Sequence, residues 1–106
     1  MADDQLPTVI IRVNAWELRR MFNNRELLEQ TKSGALRTVL MKEKHPSPEP
    51  AGEPFCTRSQ MISYVDADGA EIARVHQYLR PDGTIGGSGK PDPKRVLYGG
   101  KIYLAQ

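Results

Sequence analysis

Hydrophobic and polar positions change period several times along this chain, and each change marks an element. Thr8 to Val13 (Thr-Val-Ile-Ile-Arg-Val) is short and β-branched, which predicts a strand. Asn14 follows with an N-capping side chain, and Glu17 three residues later completes a capping-box pattern. Leu18, Met21, Phe22 and Leu28 then recur at helical spacing, so residues 15 to about 32 are expected to form one amphipathic helix. Asn23-Asn24 is its weak point and Gly34 its expected stop. Trp16 is expected to pack near the helix start. Ala35 to Lys42 reads as a returning strand, with more helix as the alternative. Pro46, Pro48, Pro50 and Pro54 forbid regular pairing, so the stretch at about 44–56 reads as an extended linker.

The second half alternates more cleanly. Ser59 to Asp66 and Glu71 to Arg80 flank Asp68-Gly69, a hairpin signal that predicts a type I′ turn. With that turn, Tyr64 faces Ala73, Ile62 faces Val75 and Met61 faces His76. Ile62, Tyr64, Ala73, Val75 and Leu79 then share a core face, while Arg74, His76, Tyr78 and Arg80 share the other. Val65 and Ile72 also fall on that second face. A second hairpin, Val96-Leu97-Tyr98 and Lys101-Ile102-Tyr103-Leu104 around Gly99-Gly100, sets Leu97 against Ile102. The predicted fold is a single α+β domain over residues 1–106. One amphipathic helix packs on a mainly antiparallel sheet, made of an N-terminal strand and two C-terminal hairpins.

Composition narrows the class. The 106 residues are 39% hydrophobic and 26% charged, which suits one globular domain. No apolar run approaches the length of a membrane span. The acidic start, Met-Ala-Asp-Asp-Gln, is unlike a signal peptide, and Cys56 is the lone cysteine; both fit a reducing cytoplasm. Charge is uneven although the net is only +2: residues 1–53 balance, while residues 72–106 carry six basic against two acidic side chains. That asymmetry favours an anionic partner at the C-terminal third.

Between the two hairpins, Arg80-Pro81-Asp82-Gly83 breaks the strand and leads into the glycine-rich and basic loop Gly83–Arg95. Its Gly-Gly-Ser-Gly-Lys run fails as a phosphate-binding P-loop, because Thr84 stands at the first glycine's position and Pro91 follows Lys90. Backbone amides of Gly86 to Gly89 still suit an anion-accepting nest, with a plain connector as the alternative. His45, His76 and Cys56 have no ligand spacing, and Asp66, Asp68 and Gly69 are better explained as a turn than as a calcium loop, so neither metal nor cofactor is expected.

The row of alternate residues is the leading site. An imidazole, a phenol and two guanidiniums on one strand face suit phosphate contact and base stacking. They are also the parts of a metal-independent ribonuclease, with His76 as acid or base, Arg80 or Arg74 holding the phosphorane charge and Tyr78 orienting.

The wording His-x-Tyr-x-Arg-Pro-Asp-Gly-Thr-x-Gly-x-Ser-Gly-x-Pro-Asp-Pro-Lys-Arg, from His76 to Arg95, resembles a family of small uncharacterised bacterial and mobile-element proteins. The similarity runs over roughly residues 53–104, with Gly52-Glu-Pro and Thr57-Arg-Ser-Gln before the first hairpin; it implies no activity. Lys90-Pro-Asp-Pro-Lys-Arg is also similar to the basic tail of ribosome-cleaving colicin domains, without their acidic catalytic residues.

The expected function is therefore a non-catalytic interaction module. Its partner is RNA, DNA or a protein that handles them, met through Arg74, His76, Tyr78, Arg80, Lys90, Lys94 and Arg95. The alternatives are a toxin-like ribonuclease, and a protein-binding inhibitor or accessory factor of a mobile element that uses Trp16 and the Pro-rich linker.

Overall fold

A computed structural model describes residues 9–45 and 52–106; Pro46, Pro48 and Pro50 of the expected linker lie outside them. Among the described residues the chain runs β1 (Val9–Val13), α1 (Ala15–Asn24), α2 (Leu27–Ser33), β2 (Arg37–Lys44), β3 (Arg58–Val65), β4 (Glu71–Leu79), β5 (Asp92–Tyr98) and β6 (Lys101–Ala105). The strands form one sheet in the order β1-β6-β5-β4-β3-β2. Every neighbouring pair is antiparallel except β1 with β6. The fold is α+β with a mostly antiparallel sheet. No helix among the described residues is long and apolar enough to cross a membrane.

The capping box forms: Asn14 Oδ1 accepts from the Glu17 amide at 2.8 Å, and Glu17 Oε1 accepts from the Asn14 amide at 3.3 Å. The expected single helix is two: α1 ends at Asn24, at the expected weak point, and Glu26 is left-handed at φ 53° before α2 begins. An unbroken helix would extend the stripe of Leu18 and Phe22 through Arg25 and Glu29, burying charge. The break re-aims the chain so that Leu27 enters the core at 1% exposure. Gly34 ends α2 in the left-handed conformation, as expected.

Leu18, Phe22, Leu27 and Leu36 pack with Ile62, Tyr64, Ala73, Val75 and Val96 on one side of the sheet. Phe22 tilts onto Tyr64, with ring centroids 5.7 Å apart. The expected register holds: Tyr64 faces Ala73, Ile62 faces Val75, Met61 faces His76 and Leu97 faces Ile102. Trp16, in contrast, is 59% exposed, with the Arg20 guanidinium 5.0 Å over its ring. Ile72 joins the core side because it is the extra residue of a bulge beside Val65.

Three further details depart from the expectation. The Asp68-Gly69 turn is not type I′, since only Gly69 has positive φ. Asp66 Oδ1 accepts from the amides of Asp68 and Ala70, which stabilises a turn closed by Gly69 N–H to Asp66 carbonyl. The loop Gly83–Arg95 is shorter than expected, because β5 begins at Asp92. Pro93 is tolerated there because β6 pairs only residues 95–98, leaving β5 with β4 alone as its neighbour. Finally, β2 belongs to the sheet as an edge strand, exposed along its whole length and bulged at Met41.

Candidate functional site

Successive strand residues point to opposite faces. With Ala73 and Val75 in the core, Arg74, His76 and Tyr78 fall on the face opposite both helices. The register adds Ser59, Met61 and Ser63 from β3, Lys42 and Lys44 from β2, and Asp92 and Arg95 from β5. Lys94, the extra residue of a bulge in β5, reaches the same face, where its Nζ lies 2.9 Å from Asp92 Oδ2.

The centre of this face is an aromatic pair. The rings of His76 and Tyr78 meet edge to face, with centroids 4.8 Å apart and planes at 88°. His76 Nε2 lies 2.8 Å from Ser59 Oγ, which holds the imidazole in place. Burial first, and the charge of Lys94 second, push the His76 pKa below its ordinary value against the opposing pull of Asp92. The surroundings thus favour the neutral imidazole over the imidazolium. A cavity of ≈ 510 Å³ opens beside the pair, lined also by Met61, Ser88, Lys90 and Lys94. A smaller one of ≈ 280 Å³ lies on the other side, toward Lys42, Lys44 and Ser59.

The two arginines expected to flank this pair are drawn into ion pairs instead. Arg74 gives Glu71 two hydrogen bonds, at 3.0 and 2.9 Å. Ser63 Oγ adds a third at 2.6 Å, and Arg95 Nε approaches Glu71 at 3.4 Å. Burial alone would raise the Glu71 pKa, but these donors and positive charges outweigh it and hold the carboxylate below its usual range. Arg80 Nε donates to Glu53 Oε1 at 2.7 Å. The expected row thus keeps its ring pair at the surface, while its guanidiniums face carboxylates.

Glu53 explains the glycine loop. Its second oxygen accepts from the Gly87 amide at 2.8 Å, and its side chain is only 5% exposed. The hydrogen bonds from Arg80 and then Gly87 keep its pKa low. The loop does accept an anion, but the anion is this chain's own carboxylate. Gly86 is needed for sterics and not for φ: a Cβ there would sit 2.6 Å from the Glu53 carboxyl group. Gly86→Ala, Glu53→Ala and the double variant should therefore lower Tm by similar amounts, since each removes the same contact. Additive losses in thermal melts would show that the two residues act separately.

Sequence reasoning missed Glu53, Lys42, Lys44 and Ser59. Ser59 was within reach, two residues before Met61 on the same strand face. The lysines were not, because the Met41 bulge shifts their register. Glu53 and Arg80 are separated by 27 positions with no pattern linking them. Among the described residues, no three His, Cys, Asp or Glu side chains gather as metal ligands would. Comparison with protein-family models, curated proteins and solved structures finds no match to this chain.

Proposed function

We propose that this protein is a non-catalytic nucleic-acid-binding module that works through the sheet face opposite its helices. The observation that carries the reading is the half-buried His76–Tyr78 pair, open to cavities on both sides, with Lys42 and Lys44 on one side and Lys90 and Lys94 on the other. Aromatic rings on a sheet surface stack unpaired bases whatever their identity, and flanking cations meet the phosphates. The ribonuclease alternative is less favoured, because it needs Arg74 or Arg80 to face the phosphorane and both are held by carboxylates. The resemblance to small mobile-element proteins is compatible with this role and does not specify it.

The test is fluorescence anisotropy with labelled single-stranded RNA and DNA dodecanucleotides at about 50 mM salt, where phosphate contacts are strongest. No binding at tens of micromolar protein would overturn the reading. RNA recovered intact is the expected result; cleavage abolished by His76→Ala would replace binding with ribonuclease activity.

His76 also sets a pH dependence. A bound polyanion favours the imidazolium, so binding takes up a proton. Affinity should rise as pH falls from about 7.5 to about 5.5, and His76→Gln should flatten that rise. The free protein should move the other way. Its folded His76 holds a proton less tightly than the unfolded chain, so stability declines as pH drops below about 6.5.

A further inference from the structure

A third cavity, of ≈ 620 Å³, lies between α1 and the glycine loop and is lined by Arg19, Asn23, Ser88, Lys90, Pro91 and Asp92. Arg19 and Asn23 stand four residues apart, so they share one face of the helix. This cavity shares Ser88, Lys90 and Asp92 with the cavity beside His76 and Tyr78. That cavity in turn shares Met61, His76 and Tyr78 with the one at Lys42 and Lys44. The three therefore adjoin in a row, a track that runs from Lys42 and Lys44 on β2 past the His76–Tyr78 pair and Lys94 to Ser88, Lys90 and Arg19 of α1. Basic side chains mark it throughout: Lys42 and Lys44, then Lys94, then Lys90, then Arg19. Among the described residues Asp92 is the one carboxylate lining these three cavities, and two cations already oppose it, Lys94 at 2.9 Å and Arg19 at 4.0 Å.

From this geometry we infer that a single nucleic-acid strand crosses the sheet perpendicular to its strands and seats a further phosphate between Arg19 and Lys90, in the cavity under α1. The inference rests on the nucleic-acid reading above and adds strandedness, direction and an end point. Crossing from β2 to β5 covers about 14 Å at about 4.8 Å between neighbouring strands. That distance takes about four nucleotide steps at the roughly 3.4 Å spacing of stacked bases. A duplex would hold its bases paired and away from Tyr78, whereas a single strand can lay a base there and its phosphates on the lysines.

The test compares two neighbouring arginines of α1 that carry the same charge. Arg19 lines the track, while Arg20 covers Trp16. With fluorescein-labelled octauridylate, Arg19→Ala should lower the magnitude of the salt-dependence slope by about 0.7, the value of one phosphate contact on a single strand. Arg20→Ala should leave it unchanged. Equal effects of Arg19→Ala and Arg20→Ala on octauridylate would show only a general field and overturn the path, as would preference for a duplex of the same length. In both cases nucleic-acid binding itself would stand. Failure of the wild-type protein to bind any oligonucleotide would remove the broader reading instead.

Discussion

Replacing Lys42, Lys44, Lys90 and Lys94 together with alanine is expected to abolish most of the salt-sensitive affinity for single-stranded nucleic acid. Each phosphate contact on a single strand contributes about 0.7 to the slope of log affinity against log salt. With Arg19, five such contacts give a slope near −3.5, so raising salt from about 50 to about 200 mM should weaken wild-type binding about 130-fold. The fourfold variant should lose only about threefold over the same range, keeping the single contribution of Arg19. Exposed lysines contribute little to folding, so its melting temperature should stay near that of the wild-type protein. An unchanged slope in a folded variant would place the anion elsewhere on the molecule.

The second large effect concerns the helix-side core that holds this face in shape. Phe22 is 2% exposed and meets Tyr64 across the helix–sheet boundary. Phe22→Ala removes those contacts and leaves a cavity, a change that costs about 3–5 kcal/mol. Domains of this size have about 5–15 kcal/mol in total. Melting followed by circular dichroism should therefore show Tm falling on the order of 20 °C. Phe55→Ala is the matched control, because Phe55 is 82% exposed and its loss should leave Tm nearly unchanged. Comparable shifts in the two variants would contradict the assignment of Phe22 to the core.

These predictions depend on features that the sequence exposes to different degrees. The registers of both hairpins were legible because turn chemistry and two-residue alternation act over a few residues. Leu97 against Ile102 and Met61 against His76 follow from counting outward from Gly99-Gly100 and Asp68-Gly69. The capping box and Gly34 were legible for the same reason. Asn23-Asn24 marked the end of α1, but the left-handed Glu26 after it was not legible, since nothing about a glutamate announces that backbone; burial of Leu27 in place of Arg25 and Glu29 decides it. Even the Asp68-Gly69 turn changed type once Asp66 turned its side chain onto the loop amides. At the site, alternation placed Arg74, His76 and Tyr78 together correctly. It could not reveal that Glu71 and Glu53 would engage the guanidiniums, because Glu71 reaches Arg74 across the Ile72 bulge and Glu53 arrives from a distant segment. Nor does any local signal pair β1 with β6, whose parallel register depends on the folding of everything between them.

The exposed edge strand gives Lys42 and Lys44 a second duty. Val39, Leu40 and Met41 are exposed on β2, an apolar run that pairs with no further strand along its outer side among the described residues. Such an edge invites another molecule to add its own strand, and continued addition ends in fibres. The bulge at Met41 and the charges that follow it are the usual defences against such growth. Two side chains proposed to meet phosphates would therefore also guard against aggregation, and a chain that lost them would give up part of its solubility as well.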